Sequence, residues 1–68
     1  MIDLKEYWHL NGRKVVVICT DGYEIIGSWI DWTSAVDNEP DPESITVRRA
    51  DGAPVEIFVH EIESIQQV

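Results

Sequence analysis

Two β-rich runs joined by Asp21-Gly22 constrain this chain more than any other feature of its sequence. The first run, residues 13–20, has five apolar residues in succession, and the second, residues 23–32, is rich in Ile and Trp. An Asp-Gly pair between two such runs is the strongest short-range signal for a β-hairpin with a tight turn. The sequence therefore predicts a hairpin over residues 13–32.

Two irregularities in the second run predict where this hairpin bends. Gly27 stands alone within the strand, and an isolated glycine in a strand marks a sharp bend or a close approach of another backbone. Trp29 and Trp32 are three residues apart instead of two, so the alternation of faces slips between them. We expect a β-bulge at that point.

The segment before the hairpin predicts one short α-helix, residues 3–11. Asp3 is a suitable N-cap with Glu6 three residues later, and Asn11-Gly12 is a typical left-handed stop. Leu4, Tyr7 and Trp8 then share one helical face. So short a helix does not persist alone in water, so Leu4 and Trp8 are expected to pack on the sheet.

The second half of the chain predicts a polar loop and three further strands. Residues 33–44 contain two prolines and alternating carboxylates, a composition typical of a solvated loop and without the spacing of a calcium loop. Residues 45–50, 55–60 and 62–68 have strand-like patterns, with a turn at 51–54 and a tight 3₁₀ turn at 61–64. One short helix followed by five short, strongly bent strands predicts a mostly β domain of the SH3-like small-barrel type.

The size of the chain bears on its stability. Its 68 residues form one domain, and a chain this short buries only about 60% of the surface exposed when unfolded. The single cysteine, Cys19, excludes disulfides, and no Cys/His group has the spacing of a zinc site, so we expect neither metal nor cofactor. Self-association is the remaining source of burial, and we expect a homo-oligomer.

The charge balance and the absence of targeting signals restrict partners and location. The formal net charge is −8, from 13 acidic residues against 5 Lys and Arg, and such a domain repels phosphate backbones unless its cations cluster. No apolar run is long enough to span a membrane, and the first six residues lack the features of a secretory signal. We therefore expect a cytoplasmic protein without a membrane partner, in agreement with an unpaired cysteine.

Two stretches resemble the signatures of the Sm and Sm-like family. Asp21-Gly22, Ile25, Gly27, Trp29 and Trp32 have the order and spacing of its first signature: an acidic or amide residue and Gly at a hairpin tip, an apolar residue, a second Gly, and two apolar or aromatic positions. Residues 58–65, Phe-Val-His-Glu-Ile-Glu-Ser-Ile, resemble the second signature in its bacterial, Hfq-like form. The resemblance covers nearly the whole chain, with residues 40–44 as extra loop.

The resemblance implies a ring. In the family, the fourth strand of one subunit pairs with the fifth strand of the next, and about five to seven subunits close the assembly. The strands at 55–59 and 62–68 would otherwise be bare edges, which agrees with this expectation. The expected subunit interface comprises Val55, Ile57, Val59, Ile62, Ile65 and Val68.

The resemblance also implies RNA binding, but few of the family's RNA-contacting residues are present. His60 matches the histidine of the Hfq-like Lys-His pair, whereas Val59 stands in place of the lysine. Ser34 and Ala35 replace the glutamine and the aromatic residue that contact bases, and Asp37 replaces an asparagine. The stacking ring and the charge that meets phosphate are therefore missing.

The candidate ligand or RNA residues are His60, Arg48 and Arg49. The His60 ring can either hydrogen-bond backbone across a subunit boundary or contact a ligand at the pore. Arg48 and Arg49 alternate faces of a strand, so at most one of them joins a shared patch. Neither His60 nor Cys19 has a partner for nucleophilic catalysis, and no enzyme is expected.

Together these features favour a non-enzymatic, ring-forming Sm-like domain that serves as a binding or assembly platform for a protein or peptide. The alternative is a conventional Sm-like protein that binds single-stranded, uridine-rich RNA near a central pore.

Overall fold

A computed structural model describes residues 1–68 as a small, mostly β domain. A 3₁₀ helix at Leu4–Leu10 is followed by strands β1 (Lys14–Cys19), β2 (Glu24–Thr33), β3 (Ser44–Arg49) and β4 (Pro54–Phe58), a second 3₁₀ helix (Val59–Glu61), and β5 (Ile62–Gln67). The strands form one antiparallel sheet in the order β4-β3-β2-β1-β5, and its two outer strands do not pair with each other. The predicted mostly β class is confirmed, with an open sheet of five strands.

The predicted hairpin is confirmed as the pair β1–β2, in which Val16 faces Ile26 and Val17 faces Ile25. Its turn is made by the residues that predicted it. Gly22 has φ +89°, a conformation that glycine adopts without strain, and the Asp21 carboxylate accepts a hydrogen bond from the Tyr23 N–H at 2.9 Å. Such a bond is the usual reason for aspartate in a turn.

Both predicted irregularities of β2 occur. A Cβ added to Gly27 would lie 2.8 Å from the carbonyl carbon of Arg48, so the backbones of β2 and β3 meet closely there. The register between β2 and β3 shifts between Trp29 and Asp31, which is the expected bulge. The bulge leaves Ile30 exposed as the extra residue and returns Trp32 to the row of Ile45.

The N-terminal helix differs from its prediction, because it is a 3₁₀ helix and not an α-helix. The reason lies in the spacing of its buried residues. Leu4, Tyr7 and Leu10 recur every three residues, and a helix of three residues per turn directs all of them to the core. Asp3 caps the helix as expected by accepting from the Lys5 N–H at 3.0 Å. Trp8 falls outside this row and is about half exposed.

The other element boundaries shift by a few residues. The acidic loop is shorter than predicted, since Thr33 belongs to β2 and Ser44 to β3. The short 3₁₀ segment begins at Val59, two residues before its predicted start, and therefore ends β4 at Phe58. Neither helix has the length or the apolar stretch that crossing a membrane requires.

The core lies on one face of the sheet beneath the N-terminal helix. Leu4 and Leu10 of the helix belong to one buried cluster with side chains from all five strands and from the second 3₁₀ helix. Trp29 is fully buried, and its indole N–H donates to the Asp31 carbonyl at 2.9 Å. The bulge thus supplies the acceptor that a buried tryptophan needs.

Candidate functional site

The two free edges of the sheet are the first candidate site. An edge strand presents unpaired backbone N–H and C=O groups that can pair with another chain. Here the edges are β4 and β5, at opposite ends of the strand order. These are the two strands that the sequence predicted to lie at a subunit boundary.

The β5 edge has backbone donors that point away from the sheet. The Val68 N–H donates to the Lys14 carbonyl at 3.1 Å, which fixes the phase of the β1–β5 ladder. Because the residues of an antiparallel ladder point alternately toward and away from the partner strand, the N–H groups of Gln67 and Ile65 point away from β1. Those donors face the free edge.

The β4 edge has fewer free donors. The Arg49 N–H donates to the Ala53 carbonyl, so the alternation places the backbone groups of Pro54, Glu56 and Phe58 on the outer side. Pro54 has no N–H, and the Phe58 N–H already donates to the Glu61 carboxylate at 3.2 Å. Only the Glu56 N–H remains for a partner strand, together with the outward carbonyl groups.

The predicted interface residues occupy three environments. Ile57, Val59, Ile62 and Ile65 are buried in the core of the single chain. Val55 is half-buried against that core, and Val68 is 63% exposed. The four core side chains already have apolar neighbours, so backbone groups and Val68 are what these edges offer to another chain.

The structure does not bring the three candidate ligand residues together. Arg48 pairs with Pro54 at one end of the β3–β4 ladder, and Phe58 pairs with Ser44 at the other. The two ends of this ladder are four strand residues apart, roughly 13 Å, and His60 lies two residues beyond the Phe58 end. The exposed His60 ring instead stacks on Phe58, with centroids 6.0 Å apart and planes 7° from parallel.

Arg48 and Arg49 lie on opposite faces of β3, as predicted. Arg49 faces Gly27 in β2 and lines an open groove of about 440 Å³ between the two hairpin tips. Glu24, Asp51 and exposed Tyr23 share that groove. The two carboxylates offset the positive charge of Arg49, and the groove has no net attraction for anions.

The acidic loop is anchored at its end rather than freely extended. The Ser44 hydroxyl, completely buried, donates to the Glu56 carboxylate at 2.8 Å. The Asn38 amide donates to the Pro42 carbonyl at 2.8 Å and to the same Glu56 oxygen at 3.4 Å. The Glu43 carbonyl accepts from the Val59 N–H at 2.8 Å. No three His, Cys, Asp or Glu residues are grouped to hold a metal ion.

A cluster of three tryptophans was not predicted from the sequence. Trp8 meets both Trp29 and Trp32 edge to face, with ring centroids 6.0 Å and 5.6 Å apart. The Trp32 indole N–H donates to the Glu43 carboxylate at 2.7 Å. The bulge that returns Trp32 to the inner face is visible in the sequence, but the contact with Trp8 depends on where the helix crosses the sheet.

Cys19 is buried and has a raised pKa. Burial is the largest cause, and the negative charges of Asp21 and Glu61 raise the pKa further. A thiol that stays protonated is a poor nucleophile. Cys19 is therefore a packing residue at the end of β1.

Comparison of the chain with protein-family models, with curated proteins and with solved structures gives no match.

Proposed function

We propose that this chain is an Sm-like subunit with SH3-like barrel architecture that forms a closed homo-oligomeric ring and acts as a non-enzymatic platform for a protein partner. The observation that carries the proposal is the pair of free edges, β4 and β5, at the two ends of one open sheet. An edge of one subunit that pairs with the opposite edge of the next continues the sheet from chain to chain. Such head-to-tail contacts form a ring when the rotation closes.

The small core gives a reason for assembly. Only 14 of the 68 residues are buried, and a domain of this size has little stability in reserve. Pairing of β4 with β5 of a neighbour adds a backbone ladder at each boundary and removes both exposed edges. We place the ring in the cytoplasm, where its single thiol remains reduced.

The hairpin supports the family assignment. Asp21 and Gly22 form its turn, and Gly27 allows β2 to approach β3 at the position where the family signature has glycine. Trp29 fills the core, and Trp32 returns to the inner face after the bulge. Each of these five signature residues thus has a structural role of the kind that the resemblance implies.

Charge favours a protein over RNA as the partner. The net charge of −8 opposes a phosphate backbone at every subunit of a ring. The two cationic candidates lie at the end of β3 away from His60, and Asp37 is exposed where the family places an amide. RNA binding therefore requires contacts that overcome repulsion from the acidic loop.

Sedimentation over a hundredfold range of protein concentration tests the ring. A single species of about five to seven subunits is expected, and a monomer that persists at every concentration would overturn the assembly. Fluorescence anisotropy with a short uridine-rich RNA, at low and moderate salt, tests the partner class. Tight, salt-sensitive binding that is lost in His60→Ala would replace the protein platform with the RNA-binding alternative.

A further inference from the structure

Trp8 and Trp32 form an exposed aromatic surface next to the acidic loop. Trp8 is 48% exposed and Trp32 38% exposed, so together they leave roughly 200 Å² of indole in water. The Trp8 ring packs edge to face against two other rings, buried Trp29 and Trp32. The surface is thus aromatic, exposed and fixed in position by packing.

Two carboxylates hold Trp32 from different sides. Glu43 accepts from the indole N–H at 2.7 Å, and Asp31 accepts from the backbone N–H at 2.8 Å. Each bond uses one oxygen of its carboxylate, and the second oxygen remains for another donor. Asp31 is exposed and Glu43 half-buried, so neither carboxylate is closed off from solvent. Glu43, which bonds the indole itself, is the carboxylate that lies beside the rings.

An aromatic face flanked by carboxylates matches a cation that is itself planar. A guanidinium stacks on an indole and donates to a carboxylate at the same time, whereas an ammonium group offers only a point charge. We propose that the Trp8–Trp32 surface binds an arginine side chain in a basic segment of the partner protein, with the guanidinium on an indole and hydrogen-bonded to Glu43. This inference rests on the proposed platform function, because it names the chemistry of that partner.

Charge complementarity selects this occupant over others. The chain carries 13 acidic residues against 5 Lys and Arg, and exposed acids of the loop, among them Asp37, Glu39 and Asp41, add to the negative field near Glu43. An acidic or phosphorylated ligand is repelled there. In the chain itself Lys5 lies one 3₁₀ turn before Trp8, so its charge competes with a bound arginine.

The experiment uses the full chain and a short capped peptide of glycine with two arginines. Matched peptides carry citrulline, the neutral analogue of arginine, or lysine. The three indole N–H signals in a nitrogen–proton NMR spectrum report binding, after assignment with Trp8→Phe and Trp32→Phe. Trp8 and Trp32 are expected to shift, while Trp29 serves as internal reference, since its N–H is bonded to the Asp31 carbonyl inside the fold.

Glu43→Gln is the decisive variant, because glutamine keeps an acceptor for the Trp32 indole and removes the charge. Its matched control is Glu24→Gln, which makes the same charge change at the opposite end of β2. Glu43→Gln should weaken binding of the arginine peptide about fivefold or more. Glu24→Gln should weaken the same binding less than about twofold. Replacing arginine by citrulline in the peptide should weaken binding about tenfold, and replacing it by lysine should weaken binding less. The Lys5→Gln variant of the chain should bind the arginine peptide more strongly.

Four results would overturn the inference. If the citrulline and arginine peptides bound equally, the surface would recognise apolar groups and not charge. If Glu43→Gln and Glu24→Gln had equal effects on binding, the attraction would come only from the diffuse negative charge of the chain. A uridine-rich RNA that shifts the Trp8 and Trp32 signals would make the surface an RNA site. A change of oligomeric state in Trp8→Phe would make it a subunit contact. Sedimentation of the same samples separates these results from failure of the ring, since a monomer that binds the arginine peptide contradicts only the assembly.

Discussion

Gly27 in β2 lies directly against the backbone of Arg48 in β3. A side-chain carbon at position 27 would overlap the Arg48 carbonyl oxygen and would lie 2.8 Å from both the carbonyl carbon of Arg48 and Cγ1 of Val47. Two of these three neighbours are backbone atoms of the adjacent strand. The close approach of β2 and β3 therefore depends on the absence of a side chain at this position.

Gly27→Ala is expected to lower the free energy of unfolding by about 3 kcal/mol, because the new methyl group forces two paired strands apart. Gly22→Ala is the matched comparison, since a Cβ there meets open space and the cost is only that of a left-handed residue, about 1 kcal/mol. Urea denaturation at one fixed protein concentration measures both. Equal losses would contradict steric contact as the role of Gly27.

Gln67→Pro is expected to prevent assembly of the proposed ring while the subunit stays folded. The Gln67 N–H points to the free edge of β5 and not to β1, so proline removes a donor that only the neighbour in the proposed ring would use. Sedimentation velocity measures the assembly, and circular dichroism the fold. Gln67→Ala, which keeps the N–H, should assemble like the parent chain. An intact ring in the proline variant would show that this edge is not the subunit boundary.

Ser44→Ala is expected to lower the free energy of unfolding by about 1 kcal/mol. The buried hydroxyl donates to Glu56 at 2.8 Å, and this bond joins the end of the acidic loop to β4. Glu56→Gln, which keeps an acceptor oxygen, should lose less. Thermal unfolding of the two variants compares them, and a larger loss in Glu56→Gln would mean that the charge, rather than the hydroxyl bond, holds the loop.

Stability should fall in alkaline solution through Cys19. The pKa of the folded thiol lies above the ordinary value of 9.0, so the unfolded chain loses its proton first as pH rises. The contribution of Cys19 is therefore complete below pH 9 and declines from there toward the folded pKa. Cys19→Ala should unfold with less dependence on pH above 9 than the parent chain. Identical alkaline profiles would show that the thiol ionises equally in both states.

The Cys19 thiol should also react slowly with iodoacetamide at pH 8, since only the thiolate reacts and burial limits access. Asp21→Asn removes one of the charges that raise the pKa. The Cys19 thiol of the Asp21→Asn variant should therefore begin to react with iodoacetamide at a lower pH than the thiol of the parent chain. Glu24→Asn gives no such change if the effect comes from Asp21 rather than from net charge.

Local sequence signals predicted the parts of the fold that depend on neighbouring residues. Asp21-Gly22 fixed the hairpin turn because aspartate bonds its own turn and glycine accepts a positive φ. The spacing of Trp29 and Trp32 gave the bulge, because alternation of faces has a period of two. The predicted helix type was wrong because the sequence contains two apolar rows. Leu4, Tyr7 and Trp8 fit one face of an α-helix, whereas the residues that pack in the core are Leu4, Tyr7 and Leu10, which fit a 3₁₀ helix.

The candidate sites depended on tertiary structure for a different reason. The RNA-binding alternative groups His60 with Arg48 or Arg49, but the register of β3 with β4 places Arg48 at one end of the ladder and Phe58, two residues before His60, at the other. Trp8 and Trp32 are 24 positions apart in the sequence, and only the packing of the N-terminal helix against the folded sheet brings their rings together.

The sequence by itself determined the hairpin, the bend at Gly27, the bulge and the mostly β class, since turn chemistry and the period of apolar residues act over a few positions. Only the tertiary structure decided which backbone donors of the edge strands are free and which tryptophans remain exposed. Those properties depend on the strand order β4-β3-β2-β1-β5 and on long-range packing, because burial is shared among residues that are distant in the chain.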